Sequence, residues 1–138
     1  MAEIKGVKGA RIVINEAPFE EAIALKDEIE AALLAVNISL PKLFSDTMDL
    51  FRENNLKGED TYYSEIFKEV ENAGQAVMAI NSSKKVRSKI FSCLARCTYN
   101  DAKITENTFT NAEAKADYST ILLLTIKENV LPFYALLL

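Results

Sequence analysis

Between Pro18 and Val130 the apolar residues return again and again at intervals of three and four, the spacing that lines one face of an α-helix. Ala22, Leu25, Ile29, Ala32, Leu33 and Val36 form such a stripe, so a first helix is expected over about Pro18 to Val36. Pro18 and the acids Glu16, Glu20 and Glu21 suit its start, where the helix dipole favours negative charge. Ser39 is placed to cap a second helix, with Pro41 in its first turn and Leu40, Leu43, Phe44, Met48 and Phe51 buried. Residues 54–61 contain the helix terminators Asn54, Asn55 and Gly58, and read as a loop and the one candidate hinge.

From Thr61 a third helix places Ile66, Val70, Ala73, Val77 and Ile80 on one stripe, weakened at Gly74 by up to about 1 kcal/mol. Ser82 or Ser83 caps a fourth, which runs to about Cys97. Thr110 with Glu113 reads as a capping box ahead of a fifth helix over about Asn111 to Val130. The "ILLLTI" run inside that last segment is apolar on nearly every side, which leaves a buried strand open there.

Ahead of the helices the pattern differs. Ile4, the turn formers Gly6 and Gly9, and then Ile12 and Ile14 indicate a short β-hairpin or a lone strand within residues 1–16. Two strands alone are marginal, so they must lie against something. A chain of 138 residues, about half apolar and a quarter charged, can bury a core without disulfides or metal. The expectation is a mainly α, bundle-like single domain over residues 1–138, with four to five helices and a small N-terminal β element.

Catalytic chemistry finds little to work with. There is no histidine, which removes the commonest general base, and no phosphate-cradling or nucleophile-elbow motif. Zinc takes four ligands, and the two cysteines, Cys93 and Cys97, fall on the stripe of the fourth helix with Val86 and Ile90, beside Leu94. They read as small hydrophobes, since a redox pair sits at a helix N-terminus whose dipole stabilises a thiolate. The carboxylate pairs Glu20/Glu21, Glu69/Glu71 and Glu65/Glu69 are most simply solvated. No enzyme, metal or cofactor is expected.

Partners are a different matter. The closing "VLPFYALLL" carries no charged side chain, so as an apolar tail over residues 131–138 it must either fold back or cover a partner. Leu131, Phe133, Tyr134, Leu136, Leu137 and Leu138 are the candidate partner-binding residues, and self-association is expected. The formal charge of −4 gives no overall attraction to nucleic acid. A basic run from Lys84, Lys85, Arg87 and Lys89 to Arg96 and Lys103 leaves, as the alternative reading, a helical adaptor that binds nucleic acid through residues 84–103. A solvated helix face is the plainer account of it. No apolar core of signal-peptide length opens the chain and no run reaches the roughly 18 apolar residues of a membrane span, so no membrane partner and a cytoplasmic location are expected.

Three blocks of the chain resemble a known family. "RIVINEAPFEEAIALKDEIEAAL", "LARCTYNDAKITENTF" and "EAKADYSTILLLTIKENVLPF" are similar, in that order, to the tail assembly chaperones of long, non-contractile-tailed bacteriophages. The likeness rests on an "IN-x-A-P-F" turn entering a helix, a "C-L-x-R-C-T-Y-N" helix end followed by "K-I-T", and a "D-Y" helix finishing "N-x-L-P-F", over roughly residues 11–36 and 93–133. The continuation "YALLL" departs from the more polar ending expected of the family. The resemblance implies a function without chemistry: coating the long, aggregation-prone tape measure protein, keeping it soluble, and helping the major tail (tube) protein polymerise around it. It also implies the host cell cytoplasm as location and absence from the mature virion.

Overall fold

A computed structural model describes residues 1–137 of the chain. It is mainly helical, with a short N-terminal antiparallel strand pair, as the periodicity predicts. Strands β1 (Ala2–Lys5) and β2 (Arg11–Ile14) form the hairpin. Helices α1 (Phe19–Leu34), α2 (Leu40–Glu53), α3 (Asp60–Phe67), α4 (Ala73–Ser82) and α5 (Lys84–Leu94) follow. A second, minimal hairpin of β3 (Thr98–Tyr99) and β4 (Ala102–Lys103) comes next, then a 3₁₀ segment, Glu106–Thr110. Helix α6 (Ala112–Asn129) and a second 3₁₀ segment, Leu131–Leu137, complete the described residues.

Helix α6 is the axis of the molecule. Ile121 to Ile126 are all buried, because α1, α3, α5 and β2 pack around this helix on its several sides. That explains a run with no polar face: it is a central helix, and the buried strand left open above is not formed. Thr125 is tolerated there because its hydroxyl donates to the Ile121 carbonyl at 2.7 Å.

The helix ends follow local chemistry. Ser39 and Ser83 cap α2 and α5 by accepting from the Lys42 and Val86 amides, each cap worth about 1 kcal/mol. Asn111, rather than the Thr110/Glu113 box, caps α6 by accepting from the Ala114 amide at 2.8 Å; Thr110 donates instead to the Asn107 carbonyl. Helices α1 and α2 close alike. Asn37 (φ 60°) and Asn55 (φ 58°) take the left-handed conformation, and the next amides, of Ile38 and Leu56, reach back to the carbonyls of Leu33 and Phe51. This closure turns Ile38 into the core and leaves Val36, expected on the buried stripe, 45% exposed.

The third predicted helix is in fact two. Asn72 adopts φ 68° between α3 and α4, and the preceding turn bonds in 3₁₀ fashion, Glu69 to Ile66 and Val70 to Phe67. The break keeps Val70 and Ala73 both buried on either side of it. Helix α5 also stops three residues short of expectation, so Cys97 lies beyond it, at the approach to β3. The residues that follow form a hairpin: Asn100 (φ 52°) and Asp101 (φ 66°) form the two-residue turn that joins β3 to β4. The sheet therefore has four strands in the order β1-β2-β3-β4, all antiparallel neighbours.

The loop after α2 is tied to α6. Lys127 Nζ donates to the Gly58 carbonyl at 2.7 Å, pairs with Asp60 at 2.5 Å, and lies 5.5 Å from the centre of the buried Tyr63 ring.

Candidate partner-binding surface

The segment 131–137 is partly an anchor and partly a display. Tyr134 is buried, its ring 5.7 Å from that of Phe44 on α2, under the Lys26 ammonium of α1, with its hydroxyl donating to the Glu30 carboxylate. Leu131 is half-buried against the core. Phe133 packs its ring on Phe19 at the start of α1, centroids 5.9 Å apart. Leu136 is fully exposed and Leu137 is 67% exposed. Leu138 lies outside the described residues. Of the six residues singled out in the sequence, one is thus a fastener and three are surface.

Phe19 belongs to the same surface although the sequence assigns it only to a helix start. It is 62% exposed, and with Phe133, Leu136 and Leu137 it makes a group of large apolar side chains in water. The signal was present in the repeated "x-P-F" of residues 17–19 and 131–133. The two turns are joined, since the Ala17 amide donates to the buried Asn129 Oδ1 at 2.8 Å, and Asn129 Nδ2 donates in turn to the Thr125 carbonyl.

A second apolar group lies at the other end of α1. Leu34 is 73% exposed there, and Val36 and Met78 (71%) border a cleft of about 560 Å³ between α1 and α4, lined also by Ala32, Ala35 and Ala79. Phe19 and Leu34 are fifteen residues apart, which at about 100° per residue sets them within about 60° of each other on α1 and about 22 Å apart along it. Segment 131–137 lies on that flank.

No protein-family model, no curated protein and no solved structure matches this chain. The surface must therefore be weighed on its own chemistry, alongside the other groups that could carry a function.

Among the described residues no three of Cys, Asp and Glu cluster as metal ligands. Cys93 and Cys97 are buried free thiols. Cys93 donates to the Glu21 carbonyl at 3.7 Å; the Cys97 sulfur accepts from the Asn15 amide at 3.4 Å. Burial, and then the nearby Glu21 carboxylate, push the Cys93 thiol up to about 11, and burial raises Cys97, so both remain protonated at neutral pH.

The buried Asp117 carboxylate, in the "D-Y" pair, accepts from the Val7 amide at 2.8 Å and from the Tyr99 hydroxyl at 2.6 Å. It joins the tips of both hairpins to α6, which is a structural task. Burial first, then this hydrogen bond, raise the Tyr99 hydroxyl to about 12. Of the basic run, Arg96 pairs with Glu21 at 2.7 Å, Arg87 donates to the Asn81 carbonyl, and Lys103 stands on β4, away from α5. No single described helix is long and apolar enough to cross a membrane; α6 and the segment after it pass only together, bent by 54°.

Proposed function

We propose that this chain is a tail assembly chaperone of a long, non-contractile-tailed bacteriophage, a protein that binds the tape measure protein and keeps it soluble while tail tube subunits polymerise. The observation that carries the reading is the apolar surface of Phe19, Phe133, Leu136 and Leu137, held in place by the buried Tyr134 beside it. A long helical client exposes apolar stripes of its own. Laying such a stripe on this surface removes water from both, at about 25 cal/mol per Å² of apolar area.

One contact of this size is weak, because association and side-chain ordering offset most of the gain. Many copies along one client act together, each bound neighbour raising the effective concentration of the next. The chaperone works in the host cytoplasm, associates with itself and with the tube protein, and leaves before the tail is complete. The three blocks that carry the family likeness support the same reading.

The test is co-expression with a tape measure protein, followed by separation of soluble and pelleted material. The client is expected in the soluble fraction when this chain is present, and in the pellet when the chain is absent or carries Phe133→Asp with Leu137→Asp. A doubly charged variant, folded by circular dichroism, that still solubilises the client would sink the assignment of the surface. Binding to random duplex DNA that weakens steeply with salt would favour the basic segment instead.

A further inference from the structure

The outward face of α1 ends in two large apolar side chains and is acidic between them. Ala22, Leu25, Ile29 and Leu33 turn into the core, which leaves Phe19, Glu20, Asp27, Ala31 and Leu34 exposed on the other side of the helix. At about 100° per residue these five fall within about 120° of arc, with Asp27 near the middle of the roughly 22 Å that separate Phe19 from Leu34. Among the charged side chains of α1 the acids are Glu20, Glu21, Asp27, Glu28 and Glu30. The one base, Lys26, pairs with Glu30 at 2.8 Å over the Tyr134 ring, and Arg96, just past the basic helix α5, meets α1 on another side, at Glu21. Among the described residues Glu20 has no ion-pair or hydrogen-bond partner, and Asp27, 68% exposed, has only Lys26 at 3.7 Å. The elements beside the face add no charge: α4 reads AGQAVMAINS and segment 131–137 reads LPFYALL.

A helix face of this kind suits another helix, because the ridges of side chains on one enter the grooves of the other. Ala31, small and between the two anchors, lets the second axis come close. A second copy of α1 does not fit. A two-fold pairing that sets Phe19 against Leu34 of the other copy brings the two Asp27 carboxylates together at the axis, where like charges repel, and a parallel pairing sets every acid beside itself. Nucleic acid is repelled for the same reason. What complements the face is a helix with apolar residues about fifteen positions apart on one stripe and Lys or Arg between them.

We infer that the occupant of this face is a basic amphipathic helix lying along α1, its two apolar anchors on Phe19 and Leu34 and its cations facing Glu20 and Asp27. The inference rests on the reading of the apolar surface given above, and adds to it the charge and the spacing of the client segment.

Fluorescence anisotropy with the full chain and labelled helical peptides of about 21 residues tests this. One peptide carries Leu at its third and eighteenth positions and Lys at its tenth and fourteenth; a second has Glu in place of Lys; a third keeps Lys and brings the two Leu within seven residues. At about 50 mM salt the first should bind about tenfold or more tightly than either of the others, and its advantage over the Glu peptide should shrink at about 500 mM. Glu20→Lys with Asp27→Lys, both at exposed positions and checked for fold by circular dichroism, should bind the Glu peptide more tightly than the Lys peptide. The milder Glu20→Gln with Asp27→Asn should bind the two alike. Equal binding of the first peptide and either of the others, no binding of any at about 1 mM, or a preference for Lys that survives both double substitutions would each overturn the inference. A chain that prefers the Lys peptide yet leaves a tape measure protein in the pellet keeps this inference and refutes the chaperone reading; one that solubilises that protein and treats the peptides alike does the opposite.

Discussion

Removing Tyr134 in two steps separates the fastener from the display. Tyr134→Phe keeps the ring against Phe44 and deletes the hydroxyl that donates to Glu30. A hydrogen bond to a charged acceptor is worth about 1.5–3 kcal/mol when buried. The Glu30 side chain is 40% exposed and also pairs with Lys26 at 2.8 Å, so water and Lys26 replace the lost donor and the loss should be about 1 kcal/mol. Tyr134→Ala removes a ring that is only 7% exposed and uncovers Phe44. Aromatic truncation in a core costs about 3–5 kcal/mol; segment 131–137 lies at the edge of the molecule and can relax, so about 3 kcal/mol is expected. Urea titration with a common slope reads both numbers, and thermal unfolding should show a difference of roughly 6–8 °C between the variants. In client solubilisation, the Phe variant should behave as wild type and the Ala variant should fail at temperatures where it is still folded, because Phe133, Leu136 and Leu137 are no longer held together. If Tyr134→Ala costs no more than Tyr134→Phe, the ring is not the fastener. If it costs the full amount and the client stays soluble, the ordered surface is not what binds.

Two further perturbations probe the scaffold beneath. A Cβ at Gly6 would fall 2.2 Å from Asp117 Oδ2, and that carboxylate is held by the Val7 amide and the Tyr99 hydroxyl. Gly6→Ala should therefore cost about 2–3 kcal/mol, and markedly less in an Asp117→Ala background, a coupling that a double-mutant cycle measures. Replacing Cys93 and Cys97 together with Ala empties two small buried volumes, so stability should fall by about 2–4 kcal/mol while client binding at 20 °C is unchanged. The Cys93 thiol also has a signature in pH. Its folded value of about 11 exceeds the ordinary 9.0, so the folded chain holds the proton more tightly than the unfolded chain does. Its contribution is complete below pH 9 and fades as pH rises toward 11; an unfolding midpoint that rises across that window in wild type relative to the double Ala variant would contradict it.

Helix positions were legible where period and caps agree: Ser39, Ser83 and, Val36 aside, the stripes of α1 and α2 stand where local chemistry puts them. Two of the misreadings share a cause, a left-handed turn residue. Asn72 divides a stripe that is continuous in sequence, and Asn100 with Asp101 makes a hairpin of what looked like a helix end. Thr98 and Tyr99 ahead of that pair, with Ala102 and Lys103 after it, are strand and turn signals too short to outweigh the helical pattern before them. The candidate surface was half legible. An uncharged run announces itself, but which of its residues turn inward depends on Phe44 and Lys26, ninety or more residues before Tyr134 in the chain. No local pattern encodes that pairing.

The blocks on which the family likeness rests turn out to lie against one another. Asn129 of the last block holds the Ala17 amide of the first; Asn15 donates to the Arg96 carbonyl of the second; Tyr99 of the second binds Asp117 of the third. These polar residues are consumed in joining hairpin, α5 and α6 to one another, so substituting Asn15, Tyr99, Asp117 or Asn129 should damage the fold before it touches a partner. Phe19 and Phe133 are different. They sit at the same joint, yet their rings face water, where burying them inside would have been the cheaper arrangement for an isolated chain. The binding surface proposed above lies at that joint, where both rings reach the surface. Ala at both positions should accordingly leave the unfolding midpoint within about 1 kcal/mol of wild type while abolishing client solubilisation, the opposite of what Ala at Asn129 should do.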